Sequence, residues 1–145
     1  MNQQKDNSMG RVTVEFTVAN YHDVLQAESG ALAPEKVRRV ALKGLVDTGA
    51  TRLVLPERVT TQLGLPSAGE TKVRYADERG ATRQLARSAW VELQGRAADF
   101  NAIVEPSRTD ALLGAIVLEN LDFVVDCTTQ TLRPRDPDRI VSEIE

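Results

Sequence analysis

The sequence predicts an all-β fold, a closed β-barrel in a single lobe with one or two short helices. Apolar residues come in short runs that alternate with polar ones or end at Gly, Pro, Asn and Asp, the pattern of half-buried strands. Only two stretches carry helix start and stop signals, and no internal repeat or alternation of long helices with strands argues for a layered α/β fold. A chain of 145 residues can bury one core without staples and is too short for two ordinary domains.

Residues 1–10 are polar and unpatterned and are expected to be a disordered leader. The folded domain is expected over 11–134, with 135–145 a charged C-terminal tail. Val12, Val14, Phe16 and Val18 alternate as one buried strand face. A second strand, Val37 to Val46, follows a connection containing Gly, Ala and Pro. It runs into Asp47-Thr48-Gly49-Ala50, where Gly49 relieves the backbone and Asp or Thr side chains can bond neighbouring amides. Leu53-Val54-Leu55 is a short strand, and Pro56 opens a helix that carries Val59 and Leu63 and stops at Gly64 and Pro66.

Residues 71–76 and 81–87 flank the polar turn Asp77-Glu78-Arg79-Gly80 as a hairpin. Ser88 to Leu93 and Ala97 to Val104 form another across Gln94-Gly95-Arg96. The apolar run Ala111-Leu112-Leu113-Gly114 belongs inside. A second short helix fits Ala115 to Leu121, and Phe123-Val124-Val125 and a strand near Leu132 close the barrel across a turn at Thr128-Thr129-Gln130.

Composition narrows the chemistry. The chain is 41% hydrophobic and 27% charged with a formal net charge of -3, so it offers no basic surface for a polyanion and no nucleic acid partner is expected. The clusters Lys36/Arg38/Arg39 and Arg79/Arg83/Arg87 read as solvated faces. No apolar stretch approaches the roughly 20 residues that span a bilayer, so no membrane partner is expected and the location expected is cytoplasmic. The lone Cys127 reads as structural, and the lone His22 as a loop residue near solvent. One His and one Cys cannot assemble the usual zinc sites, so neither a metal nor a cofactor is expected.

Peptide hydrolysis without metal or covalent nucleophile needs one carboxylate to take a proton from water and a protonated partner to polarise the scissile carbonyl. Two carboxylates held close share one proton because their repulsion splits their pKa values. Only Asp47 sits in an Asp-Thr-Gly turn at a strand end, so its partner must come from another copy. A twofold axis beside Asp47 would supply its symmetry mate.

The run Asp47-Thr48-Gly49-Ala50 after an apolar strand, with Leu112-Leu113-Gly114 later and before a short helix, resembles the retropepsin-like aspartic proteases. The resemblance extends over most of residues 11–134 in element order and implies a retropepsin-like barrel, a homodimer, a polypeptide substrate and endopeptidase activity. By resemblance Asp47 is catalytic, Thr48 locks the two catalytic loops across the dimer, and Gly49 lets substrate backbone come close. The hairpin from Tyr75 to Ala81 takes the place of the flap. Ala50, Val73, Tyr75, Ala76 and Leu113 are expected to contact substrate. Two positions depart from the retroviral pattern: Thr51 stands where an Asp is carried and Ala115 where an Arg is, so both halves of a supporting ion pair are missing together. The competing readings are an Asp that merely caps a turn, an inactive module of the same fold for peptide binding or dimerisation, and a monomer whose dimer surface meets a different protein.

Overall fold

The computed structural model describes residues 11–145, so the expected leader over 1–10 lies outside the described residues. Strand β1 (Val12–Asn20) pairs antiparallel with β2 (Arg39–Val46), Val12 facing Val46. Along β1 the buried Val12, Phe16 and Val18 lie on one face, as the alternation predicts. The remaining strands are β3 (Leu53–Pro56), β4 (Ser67–Arg74), β5 (Gly80–Leu93), β6 (Arg96–Glu105), β7 (Ala111–Leu113), β8 (Phe123–Asp126) and β9 (Thr131–Pro134).

The order β1-β2-β7-β3-β6-β5 closes on itself because the far end of β1 also pairs with β5, Val18 facing Val91. Six strands thus form a mixed barrel, parallel at β2–β7 and β3–β6 and antiparallel elsewhere. Strand β4 hangs from β5 outside the ring, and β8–β9 form a separate two-stranded sheet. The expected all-β closed barrel is therefore the fold observed. Its interior is one cluster in which Val18, Leu55, Val59, Leu63, Leu113 and Leu121 are wholly buried. Among the described residues no helix is long and apolar enough to cross a membrane.

Helix α2 (Glu57–Leu63) follows Pro56 and ends on Gly64 in the left-handed region, φ 63°. Helix α3 (Ala115–Leu121) buries Val117, Leu118 and Leu121 and ends on Asp122. A third helix, α1 (Tyr21–Glu28), lies in the connection containing Gly, Ala and Pro, so the described residues hold three short α-helices and a 3-10 turn over Pro34–Lys36 where one or two short helices were expected. His22 accordingly sits on a helix, still exposed, and not in a loop.

Local bonds explain α1. Asn20 caps it by accepting from the Asp23 amide at 3.1 Å, and its Nδ2 donates to Leu63 O at 2.8 Å, joining α1 to the end of α2. Asp23 is 5% exposed, and its carboxylate accepts from Arg38 Nε at 2.8 Å, Arg38 Nη2 at 3.0 Å and the Arg38 amide at 3.1 Å. One member of a cluster read as solvated is therefore a structural cation. Trp90 stacks on Tyr21 with ring centroids 4.7 Å apart, closing α1 against β5.

A second correction concerns β5, which is one strand where two were expected. Its register shifts between Ala86 and Ala89 and Ser88 has φ 67°, so a bulge interrupts the alternation without ending the strand. The hairpin to β6 turns through Gln94 (φ 48°) and Gly95 (φ 82°), the left-handed pair a two-residue turn requires. Past β9 the tail is tied to the barrel. Asp122 accepts from Arg135 Nε at 2.7 Å and from the Val141 amide at 3.0 Å, while Arg96 donates to Leu121 O at 2.9 Å.

Arg38 holds Asp23 below the usual carboxylate range against the opposing effect of burial, and Arg135 and the Val141 amide do the same for Asp122. A carboxyl whose folded pKa is depressed stabilises the fold above its unfolded pKa and loses that contribution as the pH falls toward the folded value. Melting temperature should therefore drop steeply below about pH 4. Asp23→Asn should melt lower at neutral pH and show a shallower acid limb. Equal acid limbs for the two proteins in thermal melts would count against this role for Asp23.

Candidate active site

The barrel topology delivers Asp47. Strand β2 runs parallel to β7 with Val46 level with Leu113, and at the strand's end the Asp47 amide donates to Leu113 O at 3.0 Å. The chain then turns: the Gly49 amide donates to Asp47 Oδ1 at 2.9 Å and the Ala50 amide to Asp47 O at 3.1 Å. A Cβ on Gly49 would stand 3.2 Å from Asp47 Oδ1, so glycine keeps the carboxylate's position open.

The next three residues cross directly over Gly114. The Ala115 amide donates to Ala50 O at 2.8 Å and the Ile116 amide to Thr51 O at 2.9 Å. These are amides of the first turn of α3, which have no partner within the helix. The two positions that depart from the retroviral pattern, Thr51 and Ala115, thus lie in segments braced to each other through the backbone. Gly114 allows the approach. A Cβ there would collide with Arg52 O and stand 2.8 Å from Ala50 O and 2.7 Å from the Thr51 carbonyl carbon.

Beside this turn lies a cleft of about 670 Å³. Asp47, Gly49 and Ala50 line one side and Val73, Tyr75 and Ala76 of the β4–β5 hairpin the other, so six of the expected site residues meet in one cavity. Val54 pairs with Ile103 on one side and Leu112 on the other, and these three half-buried side chains make an apolar floor. Two expected residues are placed elsewhere. Thr48 is exposed at the tip of the turn, and Leu113 is 0% exposed in the core. Leu112 lines the cleft in its stead, because neighbouring residues of a strand face opposite ways.

The hairpin is fastened beside its turn by Glu105 and Arg83, whose partnership with Tyr75 sequence reasoning missed. The Tyr75 hydroxyl donates to Glu105 Oε2, and Arg83 Nε donates to Glu105 Oε1 at 2.9 Å. The Tyr75 ring lies under the Arg79 guanidinium, 4.5 Å from its centroid. The hydrogen bond to Glu105, then burial, raises the Tyr75 pKa above its ordinary value. Glu105 is 7% exposed, so Arg83 is the counter-ion of a buried carboxylate and not part of a solvated face. A Glu ending the apolar run Ala102-Ile103-Val104 was the available signal. Arg52 and Arg108 also line the cleft and were missed. Among the described residues no three His, Cys, Asp or Glu side chains converge as metal ligands would.

A closed mixed barrel that presents a strand-end Asp-Thr-Gly under a hairpin is the architecture of a single-lobed aspartic protease. The family model described as aspartyl protease matches residues 34–117, more than half of the chain, and the chain belongs to that family. No curated protein matches it. Among solved structures, EIAV protease complexed with an inhibitor is similar at a TM-score of 0.54 and 18% identity, over 77% of this chain and 88% of that one. The solution structure of simian foamy virus (mac) protease matches at a TM-score of 0.43 and 18% identity, over 54% of this chain and 80% of that one. The retropepsin-like resemblance seen in the sequence is thereby borne out for family and fold.

Gly114→Ala tests the crossing. Added to the backbone contacts above, its methyl should displace the 50–52 loop, lowering stability by about 1–3 kcal/mol. Chemical denaturation measures the change, and a fully stable Gly114→Ala protein would show that the loop does not depend on this contact.

Proposed function

We propose that this chain is an aspartic endopeptidase in which water is activated by two Asp47 carboxylates, one from each subunit of a homodimer. The observation that carries the reading is the fate of the two carboxylates in the cleft. Glu105 is occupied by Arg83 and Tyr75, whereas the Asp47 carboxylate, among the described residues, accepts only from the Gly49 amide of its own turn. Glu105 is therefore not free to share a proton with Asp47. A catalytic dyad then needs a second copy of the chain.

In such a pair one Asp47 is ionised and takes a proton from the water, and the other is protonated and donates to the scissile carbonyl oxygen. Their mutual repulsion holds the single shared proton at the pH of turnover. Thr48, exposed at the tip of the turn, would meet the opposing turn across the twofold axis in such a dimer. An extended peptide would lie between the apolar floor of Val54, Ile103 and Leu112 and the hairpin carrying Val73, Tyr75 and Ala76. The hairpin acts as the flap and excludes water.

Mixing wild type with Asp47→Asn tests both halves of the proposal. Asp47→Asn alone should lose cleavage of a diverse peptide pool by at least about a thousandfold. In an equal mixture that has exchanged subunits, about one dimer in four keeps both carboxylates, so activity per wild-type chain should fall to about half. Sedimentation over a concentration series should show the dimer. Cleavage retained by Asp47→Asn, or unaffected by mixing, overturns the shared dyad. Peptide binding without cleavage by wild type would make the chain a binding module on the same fold.

A further inference from the structure

The cleft carries charge of the sign opposite to that of the chain. The whole sequence has a formal net charge of -3, yet the cleft is lined by Arg52, Lys72, Arg74 and Arg108 against two carboxylates, Asp47 and Glu105. Glu105 is already neutralised by Arg83. Lys72 and Arg74 also border an outer recess that they share with Glu78, so their charge is divided between the two faces of the hairpin. Arg52 and Arg108 stand outside that hairpin.

Both arginines are half-buried. Among the described residues neither has a carboxylate within ion-pair distance. Arg52 follows Thr51 in the loop that crosses Gly114, and the amides of Ala115 and Ile116 hold the carbonyls of the two residues before it. Arg108 lies in the loop after β6. Arg58 of α2 holds that loop by donating to Thr109 O at 2.8 Å, and Arg108 itself donates through Nε to Asp110 O at 2.9 Å. The Nε bond to a neutral carbonyl orients the guanidinium and leaves its charge uncompensated.

A partly desolvated guanidinium gains most from an anion that accepts its planar donors. Among the described residues the three buried carboxylates each have an arginine partner, Asp23 with Arg38, Glu105 with Arg83 and Asp122 with Arg135, and the half-buried Arg96 is satisfied by backbone carbonyls, Leu121 O and Asp122 O among them. Arg52 and Arg108 are half-buried arginines without a carboxylate that line the cavity that holds Asp47.

We propose that Arg52 and Arg108 form a carboxylate subsite, and that the chain selects polypeptide segments with an aspartate or glutamate side chain beside the bond presented to Asp47. This rests on the endopeptidase reading. The ligand chemistry is a carboxylate, which could also be the free C-terminus of a short peptide, and the two sources are separable by experiment.

Peptides of one scaffold are prepared with Glu, Gln or Lys scanned through the positions around the cleaved bond, each with a free or an amidated C-terminus. Cleavage is followed with wild type, and binding is followed by fluorescence anisotropy with Asp47→Asn, so the subsite is tested even if no peptide is cut. At one or more positions Glu should exceed Gln by about tenfold in kcat/KM or in affinity, whether or not the C-terminus is amidated. The double variant Arg52→Gln with Arg108→Gln should bring that ratio close to one. Arg52→Glu with Arg108→Glu should favour Lys, and circular dichroism checks that the variants fold. Equal handling of Glu and Gln by wild type overturns the proposal. So does a preference that survives both double variants, or one that vanishes on amidation and ignores the side chain.

Discussion

Everything at the site depends on a backbone crossing. The 50–52 segment passes over Gly114 so closely that no side chain fits between them, and the first amides of α3 bond its carbonyls. One contact therefore does three things. It satisfies the orphan donors of a short helix, it ends the Asp47 turn, and it fixes the direction in which β3 sets out. Because β3 also pairs with β6 and β7, the position of the Asp47 carboxylate is coupled to closure of the whole barrel. Displacing the loop would disturb strand pairing and not merely a surface turn. Bracing of this kind uses no side chain, which is why Thr51 and Ala115 can stand where an ion pair might otherwise be.

The cavity follows from strand alternation applied to a very short strand. Strand β7 has three residues, and its outer pair, Ala111 and Leu113, are wholly buried while Leu112 faces the cleft. The same alternation on the neighbouring strands brings Val54 and Ile103 level with Leu112, so three strands that are distant in sequence contribute one apolar side chain each. The charged groups around this floor come from the loops that carry Asp47, Arg52 and Arg108, from β4 with Lys72 and Arg74, and from the last residue of β6, Glu105.

Most of this architecture was legible in the residues, and the failures have physical causes. The Asp47 turn, α2 and α3 announce themselves through Pro, Gly and apolar spacing. Helix α1 does not, because it buries only Asp23 and Val24. Its stability comes from the Asn20 cap and the Asp23–Arg38 pair, contacts that join residues outside any helical period. The bulge at Ser88 breaks the period-two pattern of β5, so one strand looks like two. Leu112 and Leu113 are chemically identical in sequence, and only the pairing partners decide which faces inward. Glu105 and Arg83 are separated along the chain by a whole hairpin, so their partnership is a product of the β5–β6 register and could not be read from either strand alone.

That partnership shapes how the hairpin over the cleft can move. Glu105 is almost fully buried, and a buried carboxylate is tolerated only while its hydrogen bonds are complete. Two of its partners, Tyr75 and Arg83, stand on the β4–β5 hairpin beside its turn, so lifting that end of the hairpin would strand the charge beneath it. The tip is held differently. The Tyr75 amide donates to Arg79 O, the Glu78 amide to Tyr75 O and the Arg79 amide to Asp77 Oδ1, all within the turn itself. None of these bonds reaches the barrel. The turn end of the hairpin is therefore tied to β6 through Tyr75 and Arg83, and lifting it from the cleft would first have to break the bonds that satisfy Glu105.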